Sequence, residues 1–350
     1  MIVLFVDIDY FFAQVEEVLN PSLRGKPVVV CVYSGRTEDS GAVATSNYVA
    51  RKLGIKAGMP IVKAKELGKD AVFLPMRKEL YQEISNRVME IISKYGESLE
   101  VASIDEAYLD ITNKVSNFSE AEILARKLKE EILEKEKLRV TIGIGPNKVL
   151  AKIIGDKSKP NGLGVVTPED VSRFIDELDI SDVPGIGKIT EGVLRKTGIN
   201  KLADIRKFSL EELSKLVGRS RSIYLISLAN NTYREPVKPR ELTHKGRYLT
   251  LTENTRDIRI IMPFLKRALS EAYGKIQGIP MEIYVVAIME DLDIVSKGRS
   301  FKFGITQDLA LRTAEDLLRK ILDTDTRKIR RVGVRLGKIL RSSTLEDFFH

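Results

Sequence analysis

The stretch that decides the fold is IVLFVDIDYFF, which occupies residues 2–12. Five apolar residues in a row predict a buried strand, and Asp7 ends that run. A carboxylate at the rim of an apolar core costs free energy unless a cation lies beside it. Many acidic residues at strand ends simply face solvent. Asp7 therefore indicates a functional site only if other parts of the chain place charged residues beside it.

A second stretch of the same kind, VASIDEAYLD, occupies residues 101–110. Neighbours on a regular strand point to opposite faces, so Asp105 and Glu106 can reach one site only if the backbone turns between Ser103 and Glu106, as at a hairpin tip. Three converging carboxylates suit a hard cation such as Mg²⁺ better than zinc. A pair of such ions is the usual catalyst of in-line phosphoryl or nucleotidyl transfer.

The composition narrows the class of protein. With 350 residues and 43% hydrophobic content, the chain is long enough for about two to four globular domains. No apolar run approaches the roughly 18 residues that cross a bilayer, and the first apolar stretch lacks the basic flank of a signal peptide. The single cysteine, Cys31, lies in an apolar run and is predicted to be a buried structural thiol. One cysteine and two histidines exclude an internal disulfide and an ordinary zinc site, and they fit a cytoplasmic protein.

Positive charge is concentrated towards the C-terminus. Residues 1–230 carry 34 basic and 33 acidic side chains, whereas residues 231–341 carry 23 basic and 14 acidic ones. A merely soluble surface intersperses both signs, so the imbalance indicates an anionic polymer as partner.

Apolar periodicity predicts alternating strands and helices up to about residue 166. Strands are predicted at 2–7, 27–32, 72–75, 99–103, 106–111 and 139–144, and helices at 79–93, from Ser119 onward, and at 147–158. Ser119 and Glu122 form a capping-box pattern that places a helix N-terminus at Ser119. Such alternation is typical of helices packed around one sheet.

The chain beyond residue 166 is predicted to be helical at first. Thr167 and Pro168 indicate a helix start. The sequence VPGIGK at 183–188 has the helix-hairpin-helix pattern, in which Gly185 and Gly187 let the backbone approach a phosphate. An ordinary Pro-Gly turn between packed helices is the alternative.

The last third is predicted to be a linker followed by a second α+β domain. Residues 231–245 contain two prolines and few apolar residues, which favours an extended linker. Strands are then predicted at 247–252, 281–289, 300–303 and 329–336, and helices at 258–276 and 307–321.

Taken together, these segments resemble the Y-family (DinB-like) translesion DNA polymerases, especially archaeal enzymes of the Sulfolobus group. The similarity covers essentially the whole chain. It is carried by VDIDYFFA at 6–13, SGAVAT at 40–45, YVARK at 48–52, ASIDEAYLD at 102–110, KSKPNG at 157–162 and VPGIG at 183–187.

The resemblance implies an α+β multidomain fold with family-typical parts and no room for a proofreading exonuclease. The expected parts are a ferredoxin-like palm at 1–10 and 77–166, small fingers at 11–76, a helical thumb with the helix-hairpin-helix at 167–230, a linker at 231–245, a C-terminal α+β little finger at 246–341, and a clamp-binding tail at 342–350.

The resemblance also implies nucleotidyl transfer with two Mg²⁺ ions. Asp7 and Asp105 would bridge the ions, and Glu106 would hold the ion that activates the primer 3′-hydroxyl. The backbone carbonyl of Ile8 is a further expected ligand. Asp9 could share the face of Asp7 on a regular strand, but the family pattern does not use it as a ligand.

A third implication concerns the incoming dNTP. The residues expected around it are Tyr10, Phe11, Phe12, Thr45, Tyr48, Arg51 and Lys159. Arg51 can bind two phosphate oxygens at once. The ring of Phe12 would be a steric gate that leaves no room for a ribose 2′-hydroxyl. Without the resemblance, Phe11 and Phe12 would be interpreted as core aromatics.

A loose template pocket, and with it low fidelity and tolerance of damaged templates, is expected from small residues near the templating base. The candidates are Val32, Ala42, Ala44 and Gly58.

Contacts with primer–template DNA are expected from the basic residues and the glycine turn. The candidates are Gly185, Gly187 and Lys188, together with Arg330, Arg331 and Arg335. Arg331 and Arg335 share one strand face because their separation is even.

The expected protein is a monomer with no membrane contact whose C-terminal tail binds a sliding clamp of the PCNA type. Leu345, Phe348 and Phe349 have the anchor spacing of a clamp-binding peptide, although Ser342 stands where that peptide normally has Gln. The alternative is that the two phenylalanines fold back onto the last domain.

Two other classes of protein compete with this interpretation. A nucleotidyl or diguanylate cyclase also places paired carboxylates on a palm-like sheet, but it has no use for a helix-hairpin-helix or a basic terminal domain. In a non-catalytic DNA-binding or scaffold protein, Asp7, Asp105 and Glu106 would destabilise the fold without contributing to function.

Overall fold

The structure is a computed structural model, and it describes residues 1–240 and 244–340. The described residues form two compact units. The first comprises residues 1–32 and 41–240, and the second comprises residues 33–40 and 244–340. Each unit has its own hydrophobic core.

Strands and helices alternate as far as Val165, and the chain from there to Ala229 contains only helices, as the apolar periodicity predicts. They are β1 (Val3–Ile8), α1 (Phe11–Leu19), β2 (Val28–Tyr33), β3 (Gly41–Ser46), α2 (Tyr48–Lys52), α3 (Ile61–Leu67), β4 (Val72–Pro75), α4 (Lys78–Ser93), β5 (Ser98–Val101), β6 (Glu106–Asp110), α5 (Phe118–Glu136), β7 (Val140–Gly145), α6 (Lys148–Lys157), β8 (Leu163–Val165), α7 (Val171–Glu177), α8 (Lys188–Lys196), α9 (Leu210–Val217) and α10 (Arg219–Ala229).

A five-stranded sheet in the order β5-β6-β1-β7-β8 is the centre of the first unit. β1 pairs antiparallel with β6 and β7, and all six of its residues are buried. Leu4 and Val6 face the core that α4 and α5 complete, whereas Phe5 faces Ala151 of α6 on the opposite side. Because side chains alternate along a strand, Asp7 shares the side of Phe5 and points towards α6.

Two glycines let α6 lie directly on the sheet. A Cβ atom at Gly143 of β7 would lie 2.0 Å from the carbonyl oxygen of Ala151 and 2.5 Å from the amide nitrogen of Gly155. The backbones of strand and helix are therefore in contact at this point. Side chains that leave α6 near its C-terminus are thereby brought within reach of the end of β1.

A smaller, three-stranded sheet in the order β3-β2-β4 lies within the stretch 11–76. Its core contains Val29, Val43 and Ile61, and it contains Cys31, which is fully buried as predicted. The sequence did not predict β3, because its small residues show no clear alternation. α1 precedes this sheet in the chain, but Phe11 packs in the core of the five-stranded sheet.

Part of the segment predicted as an extended linker is fixed to the first unit. We call residues 233–240 the strap. Val237 is 5% exposed and packs in a cluster with Phe5, and Ser98 donates a hydrogen bond of 2.9 Å to the Val237 carbonyl. Arg240 donates to the Glu100 carboxylate over 2.9 Å. This part of the predicted linker therefore lies against the first unit, because a buried valine and an ion pair hold it there.

The second unit is an antiparallel sheet in the order β11-β10-β12-β9 with two helices packed on it. Its elements are β9 (His244–Thr255), α11 (Ile258–Tyr273), β10 (Ile279–Met289), β11 (Ile294–Ser300), α12 (Gln307–Thr324) and β12 (Ile329–Leu340). Segment 33–40 belongs to this unit through Arg36, which donates to the carbonyls of Leu251 (2.5 Å) and Arg330 (3.2 Å).

Three predicted boundaries were wrong, each for a local reason. α5 begins at Phe118, because the Asn117 side chain, rather than that of Ser119, accepts from the Glu120 amide at 2.9 Å. α7 begins at Val171, because Thr167 and Asp170 close a turn before it. The strand predicted at 300–303 is β11, which ends at Ser300 and pairs with β10.

We expect Gly143→Ala to lower the free energy of unfolding by about 2 kcal/mol or more, because the added methyl group would force α6 away from β7. The denaturant midpoint of the first unit measures this change. Gly192→Ala is the matched control: Gly192 is an exposed residue inside α8 with no atom near its Cβ position, so this change should stabilise by about 0.5–1 kcal/mol. Equal midpoints for Gly143→Ala and the parent would show that the close contact carries no energetic weight.

Candidate active site

The turn predicted between Ser103 and Glu106 is present and brings the acidic residues together. The Ala102 and Ser103 amides donate to the Glu106 carbonyl over 2.9 and 3.1 Å. Asp7 is the register partner of Glu106, and the Ile8 amide donates to the Asp105 carbonyl over 2.9 Å. The backbone therefore places Asp7, Asp105 and Glu106 at one end of the β1–β6 pair.

The Asp7 carboxylate is buried and held by a lysine. It is 5% exposed, and Lys159 Nζ lies 2.6 Å from Asp7 Oδ2 and 2.8 Å from an Asp156 oxygen. Burial raises the pKa of Asp7 to about 7; Lys159 opposes the rise, and the charges of Asp105 and Glu106 add to it. Even with its lysine, the site thus remains short of positive charge.

Glu106 and Asp105 have separate partners. Lys152 Nζ of α6 lies 2.7 Å from Glu106 and also 4.3 Å from the centre of the Phe5 ring. Ser103 Oγ donates to the Asp105 carboxylate over 2.5 Å. The sequence interpretation missed Lys152 and Asp156, which lie in α6, whereas Lys159 follows that helix.

Asp9 has no free coordinating oxygen among the described contacts. It is 1% exposed, and its carboxylate accepts from Thr141 Oγ1 at 2.8 Å and from the Asn161 amide at 2.7 Å. Burial raises its pKa. Through these hydrogen bonds Asp9 fastens β7 and the loop after α6 to the end of β1.

The carboxylates of Asp7, Asp105 and Glu106 are suitable ligands for a hard divalent cation. In this structure, however, Asp7 and Glu106 are paired with lysine ammonium groups. Within residues 1–240 and 244–340, no group of three or more His, Cys, Asp or Glu side chains lies close enough together to hold a metal ion. Asp7 and Glu106 turn instead towards Lys159 and Lys152. The buried charge of Asp7, with two further carboxylates beside it, is the feature that a divalent cation would stabilise.

Several residues expected at the triphosphate form one contiguous row. The Tyr10 and Tyr48 rings meet edge to face with centres 5.3 Å apart, and the Arg51 guanidinium lies 4.8 Å over the Tyr48 ring. Burial raises the pKa of Tyr48, and the charges of Asp9, Arg51 and Lys159 act on it. The row therefore lies next to the acidic residues.

Thr45 and Phe11 were also expected at the nucleotide, but they are not part of this row. Thr45 lies in β3, next to Ser46, whose carbonyl accepts from Arg51 Nε at 2.9 Å. Phe11 is only 2% exposed and belongs to the core. Its side chain is a core aromatic, so a nucleotide could meet only the backbone of Phe11.

Phe12 is partly exposed and lies flat against a second aromatic ring. Its ring stacks on that of Tyr81 with centres 4.6 Å apart and an interplanar angle of 16°. Tyr81 was not among the residues predicted from the sequence, since an apolar helical pattern gives no sign of a stacked partner 69 positions away.

In the helical region, the expected phosphate-binding turn is open to solvent. Gly185 has φ of +86°, the left-handed region that favours glycine, and Gly187 is the N-cap of α8. Lys188 begins α8 and is exposed, and the next residue, Ile189, is 87% exposed. A Cβ atom at Gly185 or Gly187 would have no atom within 4 Å, and no side chain caps the start of α8.

In the second unit, Arg331 and Arg335 lie on the sheet face opposite the helices, as their spacing predicts. The alternate residues Val332 and Val334 are buried in the core. The Arg335 guanidinium lies 4.6 Å over the Tyr284 ring. Arg330 stands at a register shift of β12, so it is not part of the same regular face.

Two further predictions concern other parts of the chain. The residues expected to bind a clamp, Leu345, Phe348 and Phe349, lie outside the described residues. Among the helices of residues 1–240 and 244–340, none is long and apolar enough to span a membrane.

Carboxylates at the end of a central strand, a row of aromatic and basic side chains, and a glycine turn that opens a helix are features of a nucleotidyl-transferring polymerase. Comparison with known proteins agrees. A model of the impB/mucB/samB family matches residues 6–156, and a model of the IMS family HHH motif matches residues 168–199.

Similar proteins cover the whole chain. DNA polymerase IV of Metallosphaera sedula is 73% identical over 350 residues, with complete coverage of both chains, and that of Saccharolobus solfataricus is 58% identical over 352 residues, covering 100% of this chain and 99% of the relative. Among solved structures, a Y-family chimera of Dbh and Dpo4 has a TM-score of 0.95, and an insertion ternary complex of Dbh DNA polymerase has 0.72. Each is 58% identical and covers 98% of this chain and 100% of its own.

The chain therefore belongs to the Y family of translesion DNA polymerases, which extend a primer by template-directed nucleotidyl transfer and depend on divalent metal. The class predicted from the sequence is confirmed, and so is the α+β fold with palm sheet, helix-hairpin-helix and little finger. The cyclase and scaffold alternatives are excluded.

We expect Lys159→Met to raise the pKa of Asp7 above its value of about 7, because Lys159 lowers that pKa through its charge and hydrogen bond. Carbon-13 NMR titration of the Asp7 carboxyl group in metal-free protein measures it. Lys159→Arg keeps the positive charge and should leave the pKa close to that of the parent. The ion pair would be unimportant for Asp7 if the Met variant titrated like the parent.

Proposed function

We propose that Asp7, Asp105 and Glu106 are the catalytic carboxylates, that they hold two Mg²⁺ ions, and that the substrates are primer–template DNA and a dNTP. The observation that carries this proposal is the convergence of the three residues at one end of the β1–β6 pair, with the Asp7 carboxylate buried there. A buried carboxylate whose pKa is raised is costly in the metal-free protein, and it would gain most from a divalent cation.

Each residue has a stated role in this proposal. Asp7 and Asp105 would hold both ions, Glu106 would hold the ion beside the primer hydroxyl, and the Ile8 carbonyl would be a further ligand. When bound, the ions neutralise charge that develops on the triphosphate and favour the ionised form of the 3′-hydroxyl. In the metal-free protein, Lys159 and Lys152 form ion pairs with Asp7 and Glu106 and so reduce the repulsion among the three carboxylates.

The row of aromatic and basic residues is proposed to bind the triphosphate. Arg51 is exposed enough to contribute its fork of donors, and Tyr48 places a hydroxyl group in the same row. Lys159, whose ammonium group lies at Asp7 in the metal-free protein, is proposed as a contact for a phosphate oxygen of the nucleotide. Tyr10 and Thr45 are proposed as further contacts.

Phe12 is proposed as the steric gate. It is the partly exposed aromatic residue that follows the row at the start of α1, and its flat face is supported from behind. A ring held in this way can exclude one hydroxyl group without contacting the base.

DNA contacts are proposed for each unit separately. In the first unit, Gly185, Gly187 and Lys188 offer an exposed helix N-terminus to a backbone phosphate. In the second unit, Arg331 and Arg335 offer charge on an open sheet face, and Arg330 lies beside it. Such contacts add affinity without base specificity. A similar chain has been solved as a post-insertion binary complex, which supports a nucleic-acid substrate.

Clamp binding through Leu345, Phe348 and Phe349, a monomeric state and a cytoplasmic location stay predictions from the sequence alone.

We expect Asp105→Asn and Glu106→Gln each to lower nucleotide incorporation at least about 10³-fold, because a carboxylate needed for charge in the transition state is lost while its shape is kept. Single-turnover primer extension measures the rate, and fluorescence anisotropy of labelled primer–template measures DNA binding, which should change less than about twofold since phosphate contacts remain. Asp110→Asn is the matched control on β6, because the Asp110 carboxylate serves Thr112. Parent-like incorporation by either active-site variant would falsify the assignment.

We expect Phe12→Ala to lower discrimination between deoxyribonucleotides and ribonucleotides at least about tenfold, because the ring that excludes the 2′-hydroxyl is removed. The measured quantity is the ratio of kcat/KM for a dNTP to that for the matching ribonucleotide. Phe12→Tyr keeps a flat ring and should keep most of the ratio. An unchanged ratio in Phe12→Ala would place the gate elsewhere.

A further inference from the structure

Phe12 is one member of a linked set of four side chains from α1 and the start of α4. Phe12 and Glu16 are four residues apart on α1, and Arg77 and Tyr81 are four residues apart at the start of α4. Such pairs lie on one face of a helix. The Phe12 ring stacks on Tyr81, and the Glu16 carboxylate joins Tyr81 to Arg77.

Tyr81 has no freedom to move within this set. It is fully buried, and its hydroxyl donates to Glu16 Oε1 over 2.5 Å. Burial and the neighbouring Glu16 raise the pKa of Tyr81, so the hydroxyl remains a donor. The phenol is thus fixed at its far end, while its ring face supports Phe12.

Glu16 orients the other members of the set, because its carboxylate accepts hydrogen bonds from both Tyr81 and Arg77. It is 5% exposed, and Arg77 donates to it from Nε over 2.9 Å and also from a terminal nitrogen. The Arg77 hydrogen bond to Glu16 raises the pKa of Arg77. A buried carboxylate is costly compared with an apolar residue of the same size, and its geometric effect here is to fix the plane of the Tyr81 ring.

Ordinary core packing does not explain this arrangement. An apolar side chain at position 16 would fill the space without a buried charge. The near-parallel stack, at 16°, contrasts with the tilted contact of 46° between Phe12 and its neighbour Phe11. One ring face of Phe12 is therefore set by Tyr81.

We infer that Tyr81, held by Glu16 and Arg77, is a positioning residue that fixes the plane of Phe12 and thereby sets the discrimination between deoxyribose and ribose. The inference rests on the proposed role of Phe12 as steric gate. Tyr81 is buried behind Phe12 and acts through that ring, without contact with the nucleotide.

The test uses two variants of the full-length protein. Tyr81→Leu removes the flat support and should lower the kcat/KM ratio of dNTP to ribonucleotide about three- to tenfold, in keeping with the strength of an aromatic pair. Tyr81→Phe keeps the ring but frees its far end, and should lower the ratio about twofold. In both variants kcat/KM for the dNTP should stay within about threefold of the parent. Should Tyr81→Leu fail to fold, the decision rests on Tyr81→Phe and on Glu16→Gln, which keeps the shape of the acceptor and should lower the ratio to a similar extent.

Tyr95 provides a matched control. It follows α4, packs on the same core, and its hydroxyl donates to the Glu131 carboxylate over 2.5 Å, but it does not contact Phe12. Tyr95→Leu and Tyr95→Phe should lower thermal stability and leave the sugar ratio as in the parent. A drop in the ratio in these variants as well would mean general loosening of the core and would overturn the inference.

A double variant separates this inference from the proposed gate. With Phe12→Ala already present, Tyr81→Leu should cause no further fall of the ratio, because the ring it supports is absent. Independent, additive effects would overturn the inference. If Phe12→Ala lowers the ratio but the Tyr81 variants do not, the positioning role fails and the gate stands. If Phe12→Ala itself has no effect, the gate assignment fails first.

Discussion

The burial of one carboxylate, that of Asp7, is the constraint on which the rest of the first unit depends. β1 is buried along its entire length, so Asp7, one residue before its end, cannot reach bulk water easily. A charge in that place must have cations near it. α6, which carries Lys152 and is followed at once by Lys159, lies close to the sheet, and Gly143 and Gly155 allow it to do so.

The same constraint links stability to catalysis. Lys159 and Lys152 stabilise the carboxylates by ion pairs, yet the pKa of Asp7 is still raised, so the metal-free site is not fully compensated. A better-compensated site would be more stable and less able to attract a divalent cation. Local conflict between charge and burial is expected at functional sites and is tolerated because the surrounding sheet and helices are locally consistent.

Much of this site could be predicted from the sequence, because its residues lie in strands with strong apolar patterns. Asp7, Asp105 and Glu106 follow from strand ends and from the need for a turn at Ser103, and both features are present. Helix starts were less predictable, since Asn117 and Ser119 are both good caps and only the backbone decides between them. Tyr81 and Lys152 could not be assigned, because their partners are distant in sequence and contacts of this kind leave no periodic signal.

The strap has a consequence for the way this chain can be recombined with its relatives. Val237 and Arg240 make their contacts with Phe5 and Glu100, and Lys148 completes a buried ion pair with Glu100 at 2.8 Å. The contacts of the strap therefore make it a structural part of the palm, although its composition is typical of a linker. A crossover between two homologous genes placed upstream of residue 233 would separate a buried valine and an arginine from the surfaces that evolved with them, whereas one placed after residue 240 would leave the first unit intact.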